Sequence, residues 1–279
     1  MTETDLMRVV FACKVLPGHA SIWWLGGSGL IVKSPQGIVA LIDPYLSNSV
    51  EEIFGIARAF PTPLSPEAVK ADVVISTHWH EDHLDPGTIP ILARNNTNSI
   101  FVMPPSAMAR ALSWGVRRSQ IVPLSHRESV TVGDVRIEAM PARHEAGIAG
   151  WEVPDAMVVL LEIGNLKIYH CGDTEYDVRL RRLKQLEFDA AFLCINGAGG
   201  NMDAFEAALL AWRLGASLVV PIHHLLWASK SSSSEETLDP MLFIETYARL
   251  GGTGKAVAPT IGNELDVTKV PFERSHKLA

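Results

Sequence analysis

The chain has 279 residues, of which 47% are hydrophobic and 20% are charged, and its formal net charge at pH 7 is −7. This composition is typical of a folded globular protein and argues against a disordered chain. An acidic chain lacks the basic face that binds nucleic acid or anionic membranes, so we expect neither partner. The sequence has no run of eighteen apolar residues that would predict a membrane-spanning helix.

The cysteines and the N-terminal stretch predict a reducing compartment. Cys13, Cys171 and Cys194 are far apart and odd in number, which argues against a disulfide framework. The stretch MTETDLMRVVFACKVL lacks the basic start and the small-residue cleavage site of a secretory signal. We therefore expect a cytoplasmic protein, and a homo-oligomer is compatible with this class.

The first part of the chain is predicted to be rich in strands. SIWWL and GLIVKS predict two strands joined at Gly26 and Gly27, and IVALID follows after a hairpin turn. The apolar run ADVVIST (71–77) is typical of a buried strand. A helix begun near Pro86, the strand SIFVMP and a helix ended by Gly115 come next.

The rest of the chain continues in the same mixed order. Strands are predicted at QIVPL, VTVGDVRIEAM, AMVVLLEIGNLKIYH, FDAAFLCI, SLVVPIHH and GKAVAPT, with two hairpins among them. Helices are predicted over 175–187, over 201–216 with Asp203 as cap and Gly215 near the end, and over TLDPMLFIETYARLG. Two strand-rich halves, each followed by helices, predict an α+β fold in which two sheets pack face to face under outer helices. No linker-like composition interrupts the chain, so we expect a single domain over 1–279.

Metal-binding chemistry is concentrated in STHWHEDHLD, directly after the predicted buried strand. His78, His80, Asp82 and His83 form the pattern HxHxDH on the loop at the end of that strand. Two imidazoles two residues apart in an extended turn can point the same way and bind one cation, and Asp82 and His83 then face a neighbouring position. The pattern therefore predicts the first half of a metal site that activates water.

One loop cannot complete such a site, because each zinc-like ion needs about four ligands. His144, Asp173 and the pair His223 and His224 each follow a predicted strand. Taken alone, each of these signals is weak, since a single histidine after a strand is more often structural and Asp173 could cap a helix. Their order along the chain, together with the first motif, favours a shared site.

That order of motifs (HxHxDH, a later histidine, GDT and PxH) resembles the metallo-β-lactamase superfamily of hydrolases over nearly the whole chain. The stretches WWLGGSGLIVKS, LIDPYLS, STHWHEDHLD, HCGDTEY and VVPIHHLLWAS are similar to its L-ascorbate-6-phosphate lactonase-like branch. The resemblance implies a four-layer αββα sandwich with the metal site at one edge of the two sheets.

The resemblance also implies a ligand set and a resident metal. One divalent ion would be bound by His78, His80 and His144, a second by Asp82, His83 and His223, and Asp173 would bridge them. Asp43 in LIDPYLS would orient a ligand histidine, although a turn residue before Pro44 is nearly as good an interpretation. One or two ions are expected, with the branch favouring manganese and the ligand chemistry favouring zinc.

The expected reaction is hydrolysis by a metal-activated water. Asp82 and Asp173 are the candidates that orient this nucleophile, and Asp82 or His224 is the candidate that protonates the leaving alkoxide. His224 is equally well explained as a packing residue. The expected substrate is a small sugar-like lactone or related ester, with or without a phosphate group.

Substrate contacts are predicted from residues near these motifs. Trp24 lies on the Gly-rich turn, and Arg143 beside a ligand could pair with an anionic group. Asn196 and Asn201 lie in the Gly-rich stretch INGAGGN, and Trp227 could form a wall of the pocket.

Two alternatives stay open from the sequence alone. A phosphodiesterase of the same fold would use the same water-activating residues on a different bond. A non-catalytic metal-binding protein is less favoured, because structural zinc sites prefer cysteine, and the proposed ligands are histidine and aspartate.

Overall fold

Two mixed sheets stacked face to face form the centre of the protein. The computed structural model describes residues 3–144, 149–177, 180, 183, 185–228 and 239–269. Within these ranges the two sheets have seven strands each, and helices cover both outer faces. Buried side chains from both sheets, such as Ile42 and Phe192, fill the space between them. The order helix, sheet, sheet, helix confirms the predicted four-layer α+β architecture.

The first sheet is formed by the N-terminal part of the chain and one C-terminal strand. Its strands are β1 His19–Gly26, β2 Gly29–Lys33, β3 Val39–Ile42, β4 Val73–Ile75, β5 Ile100–Met103, β6 Ile121–Pro123 and β14 Glu264–Thr268. They are ordered β14-β1-β2-β3-β4-β5-β6. The pairs from β14 to β3 are antiparallel, and those from β3 to β6 are parallel.

The second sheet is formed by the rest of the chain. Its strands are β7 Ser129–Val132, β8 Val135–Pro141, β9 Met157–Ile163, β10 Leu166–His170, β11 Ala190–Cys194, β12 Leu218–Ile222 and β13 Lys255–Ala256. They are ordered β13-β12-β11-β10-β9-β8-β7, antiparallel from β7 to β10 and parallel from β10 to β13. Because β8, β10 and β12 therefore run in the same direction, the residues that follow them emerge at one edge of the sheet.

Five of the six described helices form the two outer layers, and the second helix packs instead on Tyr45 and Leu226. They are α1 Glu3–Ala12, α2 Ser49–Phe54, α3 Ile89–Asn95, α4 Pro105–Ser113, α5 Ala204–Leu214 and α6 Pro240–Arg249. Buried side chains of α1, α3 and α4 pack on the first sheet, and those of α5 and α6 pack on the second. Among the described helices, none has the length and apolar character that crossing a membrane would need.

Helix α5 shows why the sequence signals worked best in this region. The side chain of Asp203 accepts hydrogen bonds from the first-turn N–H groups, and Glu206 bonds back to the Asp203 N–H. Gly215 ends the helix with φ of +67°, a conformation that glycine adopts without a Cβ penalty. The predicted cap and the predicted end of this helix are both confirmed.

Three elements were not predicted: α1, α2 and β14. Helix α1 buries Leu6, Met7 and Val10 against the first sheet. The Lys33 ammonium donates to three carbonyls at its C-terminal end, those of Val10, Phe11 and Cys13. Strand β14 pairs with β1 from the other end of the chain, a contact that local pattern cannot show. Of the helix predicted over 175–187, residues 178, 179, 181, 182 and 184 lie outside the described ranges; residues 175–177 are not helical, and 180, 183, 185 and 186 are in 3-10 conformation.

Candidate metal centre

The loop after β4 turns its histidines toward the edge where the two sheets meet. The backbone N–H of His83 donates to the carbonyl of His80 at 3.0 Å, which closes a tight turn. The carboxylate of Asp85 is completely buried behind this loop. It accepts hydrogen bonds from the hydroxyls of Ser47, Ser49 and Thr88. Asp85 therefore ties the histidine loop to the segment that follows β3.

Three histidines converge on one point. Nδ1 of His80 lies 2.9 Å from Nε2 of His78 and 3.0 Å from Nε2 of His144. Burial, reinforced by neighbouring histidines, lowers the pKa of His78 well below its usual value. Burial also lowers the pKa of His80, and it lowers the pKa of His144 to about 4. All three are neutral at pH 7 and can offer a lone pair to a cation.

The partners of the outer ring nitrogens assign the tautomers of two of these histidines. Nε2 of His80 lies 3.2 Å from the carbonyl of Trp151, so Nε2 carries the proton and Nδ1 carries the lone pair. The Thr77 hydroxyl donates to Asp43 at 2.8 Å and lies 3.1 Å from Nδ1 of His78. It must therefore accept from His78, which leaves the lone pair on Nε2.

A second set combines a carboxylate with two histidines. Oδ2 of Asp82 lies 3.3 Å from Nε2 of His223 and 3.6 Å from Nε2 of His83. Burial disfavours both imidazolium forms, yet Asp173 and Asp82 raise the pKa of His223 to about 9 and that of His83 well above its usual value. Burial opposes ionisation of Asp82, but the same histidines lower its pKa to about 2. This set therefore holds protons on its histidines at pH 7.

Asp43 orients a histidine of the second set. Its buried Oδ2 lies 2.8 Å from Nδ1 of His83, and its carboxylate also accepts from the N–H and hydroxyl of Thr77. The φ of Asp43 is +45°, a left-handed conformation in which aspartate is found more often than most residues. The expected hydrogen bond between Asp43 and a ligand histidine is present, and it leaves His83 Nε2 free to face Asp82 and Asp173.

Asp173 lies between the two sets. Its Oδ1 is 3.4 Å from Nε2 of His83 and 3.5 Å from Nε2 of His223. Its Oδ2 is 3.9 Å from Nε2 of His144 and accepts a hydrogen bond of 2.6 Å from Nδ2 of Asn201. Although burial disfavours its charge, His223 and His83 lower the pKa of Asp173 well below its usual value. One carboxylate thus faces both sets, as a bridging ligand must.

Divalent cations fit these residues. The side chains form three groups whose ligand atoms lie within 4.8 Å of one another, namely His78 with His80 and His144, His78 with His83 and Asp173, and Asp82 with His83 and His223. Nε2 of His83, Nε2 of His223 and Oδ1 of Asp173 are buried and have no hydrogen-bond partner. Unpartnered buried polar atoms are costly, and a bound cation would satisfy all three. The structure brings all seven predicted ligands together, and which of them bind an ion stays a prediction.

The nearby cysteines have a different role. Cys171 donates to the carbonyl of Gly172 at 2.8 Å and accepts the N–H of Cys194 at 3.0 Å. Burial raises the pKa of the Cys171 thiol well above its usual value. This thiol is a small buried side chain and not a thiolate ligand.

A cavity of about 410 Å³ opens above the cluster. His80, Asp82, His144, Asp173 and His223 all line it, so both sets are open to a small molecule. Of the predicted substrate contacts, Asn196, Asn201 and Trp227 also line the cavity. The amide of Asn201 is already committed to Asp173, so this residue positions the carboxylate as well.

Two predicted substrate contacts need correction, because neither residue is among those lining the cavity. Trp24 is buried in the core between the sheets, and its indole N–H donates to the carbonyl of Gly27 at 2.9 Å. Arg143 precedes His144 in the chain, but its Nε pairs with Glu175 at 2.9 Å. Proximity in sequence to a ligand did not determine the direction of either side chain.

The predicted proton donor His224 is also placed elsewhere. Its ring stacks on Trp24 with 5.0 Å between centroids, and it does not line the cavity. Burial lowers its pKa to about 4, so it is neutral at pH 7. The backbone turns at His223, whose φ is +56°. The His223 imidazole faces the cavity, whereas the His224 imidazole lies on Trp24. His224 is therefore a packing residue, the alternative that the sequence left open.

Sequence reasoning missed several residues that shape the site. Thr77 sets the His78 tautomer, and the Trp151 carbonyl sets that of His80. Phe54 and Trp151 contact each other at the cavity mouth, with 5.9 Å between ring centroids. The threonine directly before HxHxDH was a usable signal. Nothing local marked the contact between Phe54 and Trp151, because it joins segments far apart in the chain.

Comparisons with known proteins agree with this fold. The family model described as the beta-lactamase superfamily domain matches residues 40–224, which is more than half of the chain. A probable L-ascorbate-6-phosphate lactonase, UlaG, from Salmonella heidelberg is 24% identical over 263 residues, covering 80% of this chain and 74% of the relative.

Solved structures of low identity share the fold. Igni18, a metallo hydrolase from Ignicoccus hospitalis, superposes with a TM-score of 0.67 at 20% identity, covering 90% of this chain and 100% of that one. An isothiocyanate hydrolase from Delia radicum gut bacteria gives a TM-score of 0.68 at 18% identity, covering 89% and 100%. With the matched family model and the converging histidines and aspartates, the chain belongs to the metallo-β-lactamase superfamily.

Proposed function

We propose that the chain is a metal-dependent hydrolase that opens a lactone or a related ester with a water activated by one or two divalent cations, zinc or manganese. The observation that carries the proposal is the pair of histidine and aspartate sets at the floor of an open cavity. Structural zinc sites favour cysteine and leave no position open, whereas this site has no cysteine among its candidate ligands and faces a cavity. The lactonase name of the Salmonella relative supports the choice of an ester bond.

The chain's own residues supply orientation and proton transfer. A bound divalent cation lowers the pKa of a coordinated water from about 15.7 towards 7 and polarises a carbonyl. Asp82 and Asp173 both line the cavity and both have lowered pKa values, so they are anions that can accept a hydrogen bond from the attacking water. Asp82 also faces the cavity with room to pass a proton to the leaving alkoxide. His224 has no part in this step, because its ring lies on Trp24.

The cavity and the thiols support the rest of the proposal. A volume of about 410 Å³ suits a small-molecule substrate, because ligand sites usually measure roughly 300–1,000 Å³. Cys13, Cys171 and Cys194 are free, as expected for a protein of the reducing cytoplasm.

Metal analysis followed by turnover assays tests the proposal. The purified protein is expected to contain zinc or manganese, to lose activity with a chelator and to regain it when that metal is restored. A panel of lactones and esters is compared with bis-(p-nitrophenyl) phosphate, which reports phosphodiesterase activity. Preference for the phosphodiester would replace the lactonase proposal, and metal without any turnover would support a non-catalytic protein.

A further inference from the structure

The cavity above the metal centre has two walls of different chemistry. One wall carries Asn196 and Asn201 on the Gly-rich turn after β11. The other wall is apolar and is formed by Phe54, Ile56 and Trp151, with Trp227 nearby. A substrate held over the metal ligands would therefore meet both amide groups and hydrocarbon.

The apolar wall is exposed to solvent in the free protein. Phe54, Ile56 and Trp151 are 43%, 40% and 42% exposed. The Phe54 and Trp151 rings contact each other, so α2 and the segment around 151 present one continuous surface. A ligand that covers such a group of exposed apolar side chains is stabilised by about 25 cal/mol per Å² of apolar surface buried.

The described side chains that line the cavity offer no cation to an anionic group held away from the metal ligands. Among the described residues that line the cavity, none is a lysine or an arginine. Its acidic lining residues are Glu81, Asp82 and Asp173. A phosphate group held away from the metal ligands would need a cationic or multiple N–H partner.

Besides Arg110, which pairs with the lining residue Glu81 at 2.7 Å, two arginines near the cavity residues are bonded to other partners. Arg58 donates to the carbonyls of Tyr45 and Ser47, at 3.1 and 2.6 Å, and its guanidinium lies 3.8 Å from the centroid of the Tyr45 ring. Arg143 is paired with Glu175. Neither is among the lining residues.

We propose that the substrate is an uncharged lactone or ester with an alkyl or aryl substituent that packs on Phe54, Ile56 and Trp151, and not a phosphorylated sugar. This inference rests on the hydrolase function proposed above. The reaction needs no further reactant than water. The water oxygen forms a bond to the carbonyl carbon, the bond from that carbon to the ester oxygen breaks, and a water proton ends on the released alkoxide.

A substrate series on the metal-loaded enzyme tests the inference. The series consists of γ-butyrolactone, γ-hexalactone, γ-octalactone and γ-decalactone, together with L-ascorbate and its 6-phosphate. We expect kcat/KM to rise about two- to fourfold per added methylene until the wall is covered, mainly through KM. We expect the phosphate to lower kcat/KM relative to L-ascorbate. A higher value for the phosphorylated compound, or no effect of chain length, overturns the inference while the hydrolase function stands.

Variants of the wall locate the effect. Phe54→Ala is expected to lower kcat/KM for γ-decalactone about fivefold, with a smaller loss for γ-butyrolactone. Phe205→Ala is the matched control, because Phe205 is a phenylalanine of similar exposure, 50%, on the outer helix α5. Phe205→Ala should leave kcat/KM unchanged for both lactones. Equal losses for the two lactones in Phe54→Ala would count against the wall as the binding surface.

A binding measurement separates the inference from the hydrolase proposal. Metal-free protein is titrated with γ-decalactone, with γ-butyrolactone and with L-ascorbate 6-phosphate, and tryptophan fluorescence reports occupancy near Trp151. Saturable binding of γ-decalactone that is weakened in Phe54→Ala supports the inference even if no lactone is hydrolysed. In that event the hydrolase proposal fails, and the inferred class of ligand, an uncharged molecule with an apolar substituent, stands. Tighter binding of the phosphorylated compound overturns the inference.

Discussion

The two halves of the metal centre differ in charge before any cation binds. His78, His80 and His144 have lowered pKa values and are neutral at pH 7. His83 and His223 have raised pKa values, because Asp173 and Asp82 stabilise their protonated forms against the opposing effect of burial. The two histidine clusters thus differ in whether a cation must displace protons when it binds. The first can bind without losing protons, whereas the second must release them.

Asp173 and Asp82 make the larger contribution to this difference, and the partner of the outer ring nitrogen adds to it at His83. The outer nitrogen of His80 meets a peptide carbonyl and that of His78 meets a hydroxyl, both of them neutral acceptors. The outer nitrogen of His83 meets the carboxylate of Asp43, which makes the ring more basic. A neutral acceptor fixes the tautomer of an imidazole with little effect on its pKa. A carboxylate acceptor also stabilises the protonated imidazolium. The comparison teaches that orientation and basicity are set separately at neighbouring ligands.

Loss of one neutral ligand should have the largest effect. His80→Ala removes the nitrogen that lies closest to both His78 and His144. We expect a loss of turnover on the order of a thousandfold and a lower metal content, with the far-UV circular dichroism unchanged. His19→Ala is the control, because His19 pairs with Asp266 outside the site. Wild-type activity in His80→Ala would show that the neutral set is not part of the catalytic centre.

Neutralising the carboxylate behind His83 should have the next largest effect. Asp43→Asn keeps the shape of the side chain and suits the left-handed φ, but it removes the charge that orients His83. Metal affinity or activity should fall about 10- to 100-fold, the usual cost of losing such a partner. Asp72→Asn is the matched control, since Asp72 accepts a hydrogen bond from the Val39 N–H elsewhere in the same sheet. Equal losses in the two variants would point to sheet stability and not to His83.

The pH dependence of metal binding should separate the two sets. Because the folded pKa of His223 is raised to about 9, a cation must displace its proton below that pH. Affinity of the carboxylate-containing set should therefore rise with pH, about tenfold per unit for each proton displaced, through the raised pKa of His223 at about 9. Affinity of the neutral set should depend less on pH near neutrality, because burial lowers the pKa of His78, of His80 and of His144 below the usual histidine value.

Metal titration against a chelator at several pH values, with proton release followed in weak buffer, checks this behaviour. Two binding steps with different proton release are expected, and the step with more released protons belongs to Asp82, His83 and His223. The Asp43→Asn variant should reduce proton release, because it removes one carboxylate that raises the pKa of His83. Equal proton release in both steps would contradict the comparison.

The smallest effect should come from replacing Arg143, the cationic side chain next to His144 in the sequence. Arg143 precedes His144 but is half exposed and pairs with Glu175. Exposed ion pairs contribute little, so Arg143→Ala should change kcat/KM by less than about twofold for neutral lactones. A tenfold or larger loss of kcat/KM in the lactone assay would show that Arg143 contacts the substrate beside the neutral set.

Local patterns predicted the parts of the protein whose cause is local. The HxHxDH loop carries four candidate ligands within six residues, so their shared direction follows from one turn. Asp203 and Gly215 mark the ends of α5 because caps act on the first and last turns alone. Helix α1 was missed because its apolar face matters only against the first sheet, and its C-terminal carbonyls depend on Lys33 of another element.

Among the later residues predicted for the site, some side chains face it and others do not. His144, Asp173 and His223 follow parallel strands, and parallel strands deliver their C-terminal residues to one edge, so order along the chain predicted their convergence. Trp24, Arg143 and His224 lie beside these motifs yet face the core or Glu175. Their direction depends on partners that a sequence pattern does not contain.

The sequence by itself determined the strand and helix alternation, the ligand types and the family, because spacing and hydrophobic periodicity act over a few residues. The tertiary structure decided which imidazoles carry protons, since the three carboxylates around His83 come from positions 43, 82 and 173. It also decided the apolar wall, because Phe54 meets Trp151 only after α2 and the second sheet have packed at the same edge. Charge and shape at the site are properties of distances between distant segments, and those distances exist only in the folded chain.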